Sequence, residues 1–248
     1  MASRKFDTTF AKQRAQRRLR PRQFSADLGR SVNEARRLSE QAYQGILQGL
    51  FEGRIPVGAF VTQNQLIALL GIPVQPLRDA LLVLGAEGVL TVHPRSGIQF
   101  LRVDSELART TYQFRSIIER ASVRSFAVTG DASVIAGLRA DQVTWQRQIQ
   151  VDGMTARNRE VLGALDEQLH ATIVSVLRNP MVDIANRRLD NYVTILHLKR
   201  EVTQPLAMQT VSEHLAILDA CAERNADRAE AAMAAHLQAA LLRILTMV

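Results

Sequence analysis

Three of the five histidines, His170, His214 and His236, fall in segments that read as separate helices. Asp166 precedes His170 by four residues, which sets the two side chains one turn apart on one helix face. Leu162, Leu165, Leu169 and Ile173 turn part of that face toward a core. Three neutral imidazoles and one carboxylate inside a helical bundle make a borderline nitrogen/oxygen donor set. It suits Zn2+ or Ni2+ first, with Mn2+ or Fe2+ open. The competing reading is three hydrogen-bonded core histidines, since a single Asp-x-x-x-His pair also arises by chance.

Arg115 offers a second piece of chemistry. With Phe114, Ile117 and Ile118 around it, an inward guanidinium could grip a carboxylate bidentately; the alternative is a surface pair with Glu119 at i,i+4. Tyr192 and His197, on a later helix, are candidates to line the same pocket. Cys221 is the only cysteine, which excludes a disulfide framework and a cysteine-rich zinc module and points to a reducing, cytoplasmic setting. No His-Glu-x-x-His spacing occurs. The alternative reading, a metal-dependent hydrolase or lyase fused to a DNA-binding module, therefore lacks its catalytic motif, and no enzyme is expected.

The elements that must position these residues follow from periodicity. From Glu106 onward the chain reads as helix, over 105–128, 132–150, 157–178, 181–200, 206–223 and 226–246. The breaks fall at Gly130, Asp152-Gly153, Asn179-Pro180, Thr203-Gln204-Pro205 and Asn225. Upstream, Leu38 to Leu50 recur at helical spacing. Thr62-Gln63-Asn64-Gln65 is a capping box that opens a helix ending at Gly71. A further helix runs from Pro73 to Ala86, and two alternating strands flank a turn at His93-Pro94-Arg95-Ser96-Gly97. Helix, helix, turn, helix and hairpin is the order of a winged helix-turn-helix, whose second motif helix enters a major groove while Arg95 tips the wing. The expected fold is mainly α: a winged helix-turn-helix over 38–102, then an all-α bundle over 105–246.

The 248 residues carry 31 Lys/Arg against 24 Asp/Glu, a formal charge of +7, and 47% of them are hydrophobic. That apolar share supports a real core, while no apolar run nears the ~20 residues of a membrane helix, so no membrane partner is expected. The N-terminus lacks the apolar stretch of a secretory signal. The charge is uneven. Residues 1–37 hold eleven basic and three acidic side chains, and the rest of the chain is close to neutral. This segment reads as a mobile basic arm, helical in part, fit for nucleic acid or for solubility. The winged segment is itself neutral: Arg54, Arg78, Arg95 and Arg102 balance Glu40, Glu52, Asp79 and Glu87.

Gly53-Arg54-Ile55-Pro56-Val57-Gly58, Pro76-Leu77-Arg78-Asp79-Ala80-Leu81, Glu87-Gly88-Val89-Leu90 and Arg95-Ser96-Gly97 together resemble the DNA-binding domain of GntR-family transcription regulators. The helical remainder is similar to the shorter, six-helix FCD effector domain of that family. It carries Arg115, Glu119, Asp166-Glu167-Gln168-Leu169-His170, Asn179-Pro180, Glu213-His214 and Ala234-Ala235-His236-Leu237. The resemblance implies Asp166, His170, His214 and His236 as ligands of one divalent ion. It also implies repression relieved by an effector, and the residues read above make that a small carboxylate with Arg115, Tyr192 and His197 as effector-site candidates. A homodimer on paired half-sites of double-stranded operator DNA follows from two-fold symmetry. Gln63, Asn64, Gln75, Arg78, Arg95 and Gly97 are the DNA-contact candidates; Gln and Asn can read adenine, and Arg guanine or phosphate. The chain departs from the family where Asn64 and Val74 replace arginines and where Pro73 replaces a capping Ser or Thr. The basic arm is expected to restore the missing phosphate attraction.

Overall fold

Thr62 starts the helix-turn-helix. Its hydroxyl accepts from the Gln65 amide at 3.2 Å while the Gln65 side chain accepts from the Thr62 amide at 2.8 Å, so two otherwise orphaned donors are met reciprocally. The helix α2 (Gln63–Leu70) that follows ends at Gly71, whose φ of 66° is the left-handed cap glycine tolerates. The recognition helix α3 (Val74–Ala86) starts after Pro73 without a side-chain cap. Its Leu77, Ala80, Leu81 and Leu84 are buried at i, i+3, i+4 and i+7 spacing against α1 (Pro21–Phe51). The wing is a three-stranded antiparallel sheet in the order β1-β3-β2: β1 (Phe60–Val61), β2 (Leu90–His93) and β3 (Gly97–Phe100), with Phe60 opposite Gln99 and Leu90 opposite Phe100. Ala42, Ile46, Leu47 and Leu50 of α1 pack with Leu66, Leu77, Leu84, Ile98 and Phe100 into one core.

The computed structural model describes residues 21–198 and 201–246, with side chains from residue 33 onward except 199, 200, 247 and 248. Residues 1–20 of the expected arm lie outside the described residues. Its second half does not read as a separate arm: α1 runs unbroken from Pro21 through residue 37 to Phe51. Upstream of Leu38 the chain is polar and basic, yet Phe24, Leu28 and Val32 recur every four residues, the spacing of one helix face.

Six further helices follow among the described residues: α4 (Ser105–Thr129), α5 (Ala132–Asp152), α6 (Ala156–Ser175), α7 (Pro180–His197), α8 (Gln204–Ala222) and α9 (Ala226–Leu245). Asp104, Asp131, Thr155, Asn179 and Asn225 cap five of them through their side chains. α6 and α7 stop at Ser175 and His197, a few residues before the expected ends. Arg178, at φ 46°, turns the chain between them. α4 is central, packing against α9, α7, α8 and α6 or its neighbours through Tyr112, Val123 and Phe126. No single helix among the described residues is long and apolar enough to cross a membrane.

Candidate functional site

α6 supplies Asp166 and His170, α8 supplies His214, and α9 supplies His236. One donor atom from each lies within 4.8 Å of all the others. Asp166 Oδ1 is 3.3 Å from His214 Nε2 and 3.9 Å from His170 Nε2. The imidazole centroids stand 4.7, 5.2 and 5.6 Å apart, and all three rings are buried. Donors held about 2.0–2.2 Å from one ion sit at such separations from each other.

Two carboxylates fix the rings. Glu119 Oε2 accepts from His170 Nδ1 at 2.5 Å, and Glu213 Oε2 accepts from His236 Nδ1 at 2.8 Å. An ionised carboxylate only accepts, so each Nδ1 carries the proton and each Nε2 presents a lone pair. An arginine holds each carboxylate in turn: Arg115 Nε donates to Glu119 at 2.5 Å, and Arg243 donates twice to Glu213 at 2.8 Å. Among the described residues, buried Nε2 of His170 and both ring nitrogens of His214 have no hydrogen-bond partner; Asp166 Oδ1 approaches His214 Nε2 at 3.3 Å without hydrogen-bond alignment. Leaving such atoms unmet costs about 1–3 kcal/mol each, and a cation would meet them. The donor set therefore fits a metal ion.

Electrostatics prepares the same chemistry. Burial lowers the pKa of His214 and pushes that of His236 down to about 3, which keeps both rings neutral as ligands require. Burial opposes ionisation of Asp166, but the His214 contact and the neighbouring His170 and Arg115 outweigh it and hold the carboxyl well below its usual range. Glu119 is likewise drawn down to about 2 by Arg115 and His170 against burial. Glu119→Gln should weaken Zn2+ binding about 10–100-fold, because the amide no longer fixes the His170 tautomer. Competition with a chromophoric chelator measures this, and an unchanged Kd would remove Glu119 from the site.

Beside the cluster lies a cavity of about 370 Å3, lined by Arg115, Asp166, His170, Asp190, His197 and Thr210 among others. Arg115 is therefore buried at the cavity wall and also paired with Glu119; neither sequence alternative held alone. His197 lines the cavity, and its Nε2 lies 3.0 Å from Tyr112 Oη. Burial raises the Asp190 pKa to about 6. Tyr192 departs from expectation. It lies outside the cavity lining, and its hydroxyl donates to the Glu87 carbonyl of the winged domain at 2.5 Å. Sequence reasoning took neither Glu119 nor Glu213 as ring holders and passed over Arg243. The i,i+4 spacing of Arg115 and Glu119 was the available signal, but nothing in it marked the pair as buried.

The DNA-contact candidates all lie in the winged domain. Gln63 and Asn64 open α2, and Asn64 is exposed. Gln75 and Arg78 are exposed on α3, where Gln75 donates to Asp79 at 2.9 Å. Arg95 is exposed in the hairpin turn at φ 62°, and Gly97 pairs with His93 at its base. Val74 is 47% exposed on the first turn of α3.

The description "Bacterial regulatory proteins, gntR family" matches residues 38–100, and the FCD domain matches residues 110–239. An uncharacterised HTH-type transcriptional regulator from an unstable DNA locus of Streptomyces ambofaciens is 28% identical over 187 residues, 73% of this chain and 74% of its own length. The structure of E. coli McbR/YncC superposes with a TM-score of 0.67 at 17% identity, over 84% of this chain and 97% of that one. A GntR-type structure from Rhodococcus sp. RHA1 gives 0.66 at 18% identity, over 85% and 98%. Both likenesses are of fold. With a winged helix-turn-helix ahead of a six-helix bundle whose Asp/His cluster is compatible with a metal, the chain belongs to the GntR family of DNA-binding transcription regulators, not enzymes, and carries an FCD domain.

Proposed function

We propose that the chain is a metabolite-responsive repressor. A small carboxylate binds in the FCD cavity beside a divalent ion and changes operator affinity. The observation that carries this reading is the shared cavity wall: Arg115 and the ligand pair Asp166 and His170 face one space of about 370 Å3. Asp166, His170, His214 and His236 would hold the ion, Zn2+ or Ni2+ by donor type, with Mn2+ and Fe2+ as further options. Four protein ligands would leave two positions open on an octahedral ion, or one with Asp166 bidentate, where a bound metal would supply Lewis acidity toward carboxylate oxygens. Arg115 adds a fixed positive charge: burial opposes its ionisation, but neighbouring Glu119 and Tyr112 raise its pKa.

A thermal-shift screen of small carboxylates on Zn2+-loaded and metal-stripped protein tests the reading. Stabilisation confined to loaded protein supports it. Equal stabilisation without metal removes the ion from the effector site, and a screen without any stabilising carboxylate removes the effector class.

The regulator acts as a homodimer in this reading. α4 presents Phe114, Ile117 and Val128 on one exposed face, with Ile117 65% and Val128 62% exposed. A second copy covers such an apolar stripe by two-fold symmetry. Ile117→Asp should weaken dimerisation by about 2–4 kcal/mol, the scale of an interface hot spot. Sedimentation velocity reads this as a monomer at concentrations where the parent protein is dimeric; an unchanged dimer assigns the interface elsewhere.

A further inference from the structure

α7 carries two interleaved faces. Asp190, Val193, Thr194 and His197 line the cavity. Arg188, Asn191, Tyr192 and Ile195 are offset by two residues, about 200° around the helix, and meet the winged domain instead. Arg188 Nε and Tyr192 Oη both donate to the carbonyl of Glu87, at 2.6 and 2.5 Å. Glu87 is the residue that ends the recognition helix α3. Asn191 Nδ2 donates to Tyr43 Oη at 3.1 Å, and Tyr43 Oη donates to the Glu87 carboxylate at 2.9 Å. Ile195, from the bundle, belongs to the apolar core of the winged domain. Gly88, at φ 79°, closes the contact: a Cβ there would collide with Tyr192 Oη and stand 3.3 Å from an Arg188 nitrogen.

We propose that this junction is the joint through which the FCD domain positions the recognition helix, with Arg188, Asn191 and Tyr192 as its positioning residues. Glu87 terminates α3, so a carbonyl gripped there sets the angle at which the helix leaves the bundle. A rigid helix cannot move one face and hold the other still. A change at Asp190, Val193 or Thr194 therefore reaches Glu87 through one helix width, without passing through the Arg102-Val103-Asp104 connection. The coupling role rests on the regulated reading above, whereas the positioning role stands on the contacts alone.

The test uses full-length protein with spin labels at Thr91→Cys and Val151→Cys, exposed sites in the wing and in α5; native Cys221 is buried. Operator DNA is a fragment selected in vitro by the parent protein, and Zn2+ is the probe of the cavity state. The parent should give one narrow label distance and an operator Kd that differs about 5–100-fold between stripped and Zn2+-loaded forms, the usual span of allosteric coupling. In Tyr192→Phe/Arg188→Gln the distance distribution should broaden and that ratio should fall to about one, with Zn2+ affinity unchanged. A distribution as narrow as the parent's overturns the joint. A broadened distribution with the parent's Zn2+ ratio overturns the coupling while the positioning role stands. A parent protein whose operator Kd ignores Zn2+ overturns the coupling of the cavity to the joint, the carboxylate screen above decides the regulated reading separately, and the label distances still decide the positioning role.

Discussion

On the proposed metal site, His214→Ala and His236→Ala should each weaken divalent-ion binding about a hundredfold. Zinc bound by four protein ligands is worth about 10–16 kcal/mol, so one ligand carries about 3 kcal/mol, roughly a hundredfold in affinity. His236 should have the cleaner effect, because its Glu213 and Arg243 partners remain paired with each other. His214 is fully buried, so its removal also leaves a cavity in the metal-free protein. Mass spectrometry under native conditions reads the stoichiometry, and thermal unfolding of stripped samples separates lost metal from lost packing. At a hundredfold excess over Kd, Zn2+ should stabilise the parent by about 2.7 kcal/mol and both variants far less. One ion per variant chain at parental affinity would leave the cluster as a set of core histidines. Acid should act in the same direction on stripped protein. His236 is depressed from 6.5 to about 3 in the fold, so its contribution is complete above 6.5 and is lost as pH falls toward 3. Glu213, held near 2 by Arg243 and His236 against burial, adds a loss that begins below 4.5. Urea unfolding at pH 7.5 and pH 5 should therefore show the stripped protein weaker at pH 5.

Deleting residues 1–20 should cost the regulator most of its operator affinity. This segment carries seven Lys/Arg and one Asp, whereas the winged segment 38–102 has no net charge, with Asn64 and Val74 where the family resemblance implies arginine. The cut falls before α1 and leaves intact its described contacts, such as Ser39 to Asp79 at 2.9 Å and Tyr43 to Glu87. Each cation seated on a phosphate releases counterions and steepens the salt dependence by about 0.9 in log Kd against log salt. Four such contacts would account for a slope change of about 3.6 and roughly a thousandfold in affinity near 0.15 M salt. Titrations of parent and truncated protein at several salt concentrations measure both numbers. An unchanged slope would return the segment to the role of a solubility tail.

Local patterns were legible in advance wherever one short stretch of chain decides the outcome. The Thr62–Gln65 capping box, the glycine at 71, the hairpin around Arg95 and the helix breaks at Gly130, Gly153 and Pro180 all depend on neighbours within a few residues. Asp166 and His170 were also readable as a pair, since i,i+4 spacing is a property of any helix. The start of α1 was not legible, because residues 21–37 read as a polar, basic run in which Phe24, Leu28 and Val32 are separated by Gly29, Ser31 and other weak helix formers.

Sequence by itself determined the element order, the family resemblance and the residue types of the donor set, because these rest on backbone periodicity, caps and side-chain chemistry. Tertiary structure alone decided which atoms meet. It placed Glu119 and Glu213 behind the rings of His170 and His236, made Arg115 both a cavity wall and a partner of Glu119, and turned Tyr192 away from the cavity onto Glu87. The physical reason is that α4, α7, α8 and α9 are each packed on more than one side. Periodicity marks a buried face, but the identity of the neighbour behind it depends on how helices distant in sequence cross.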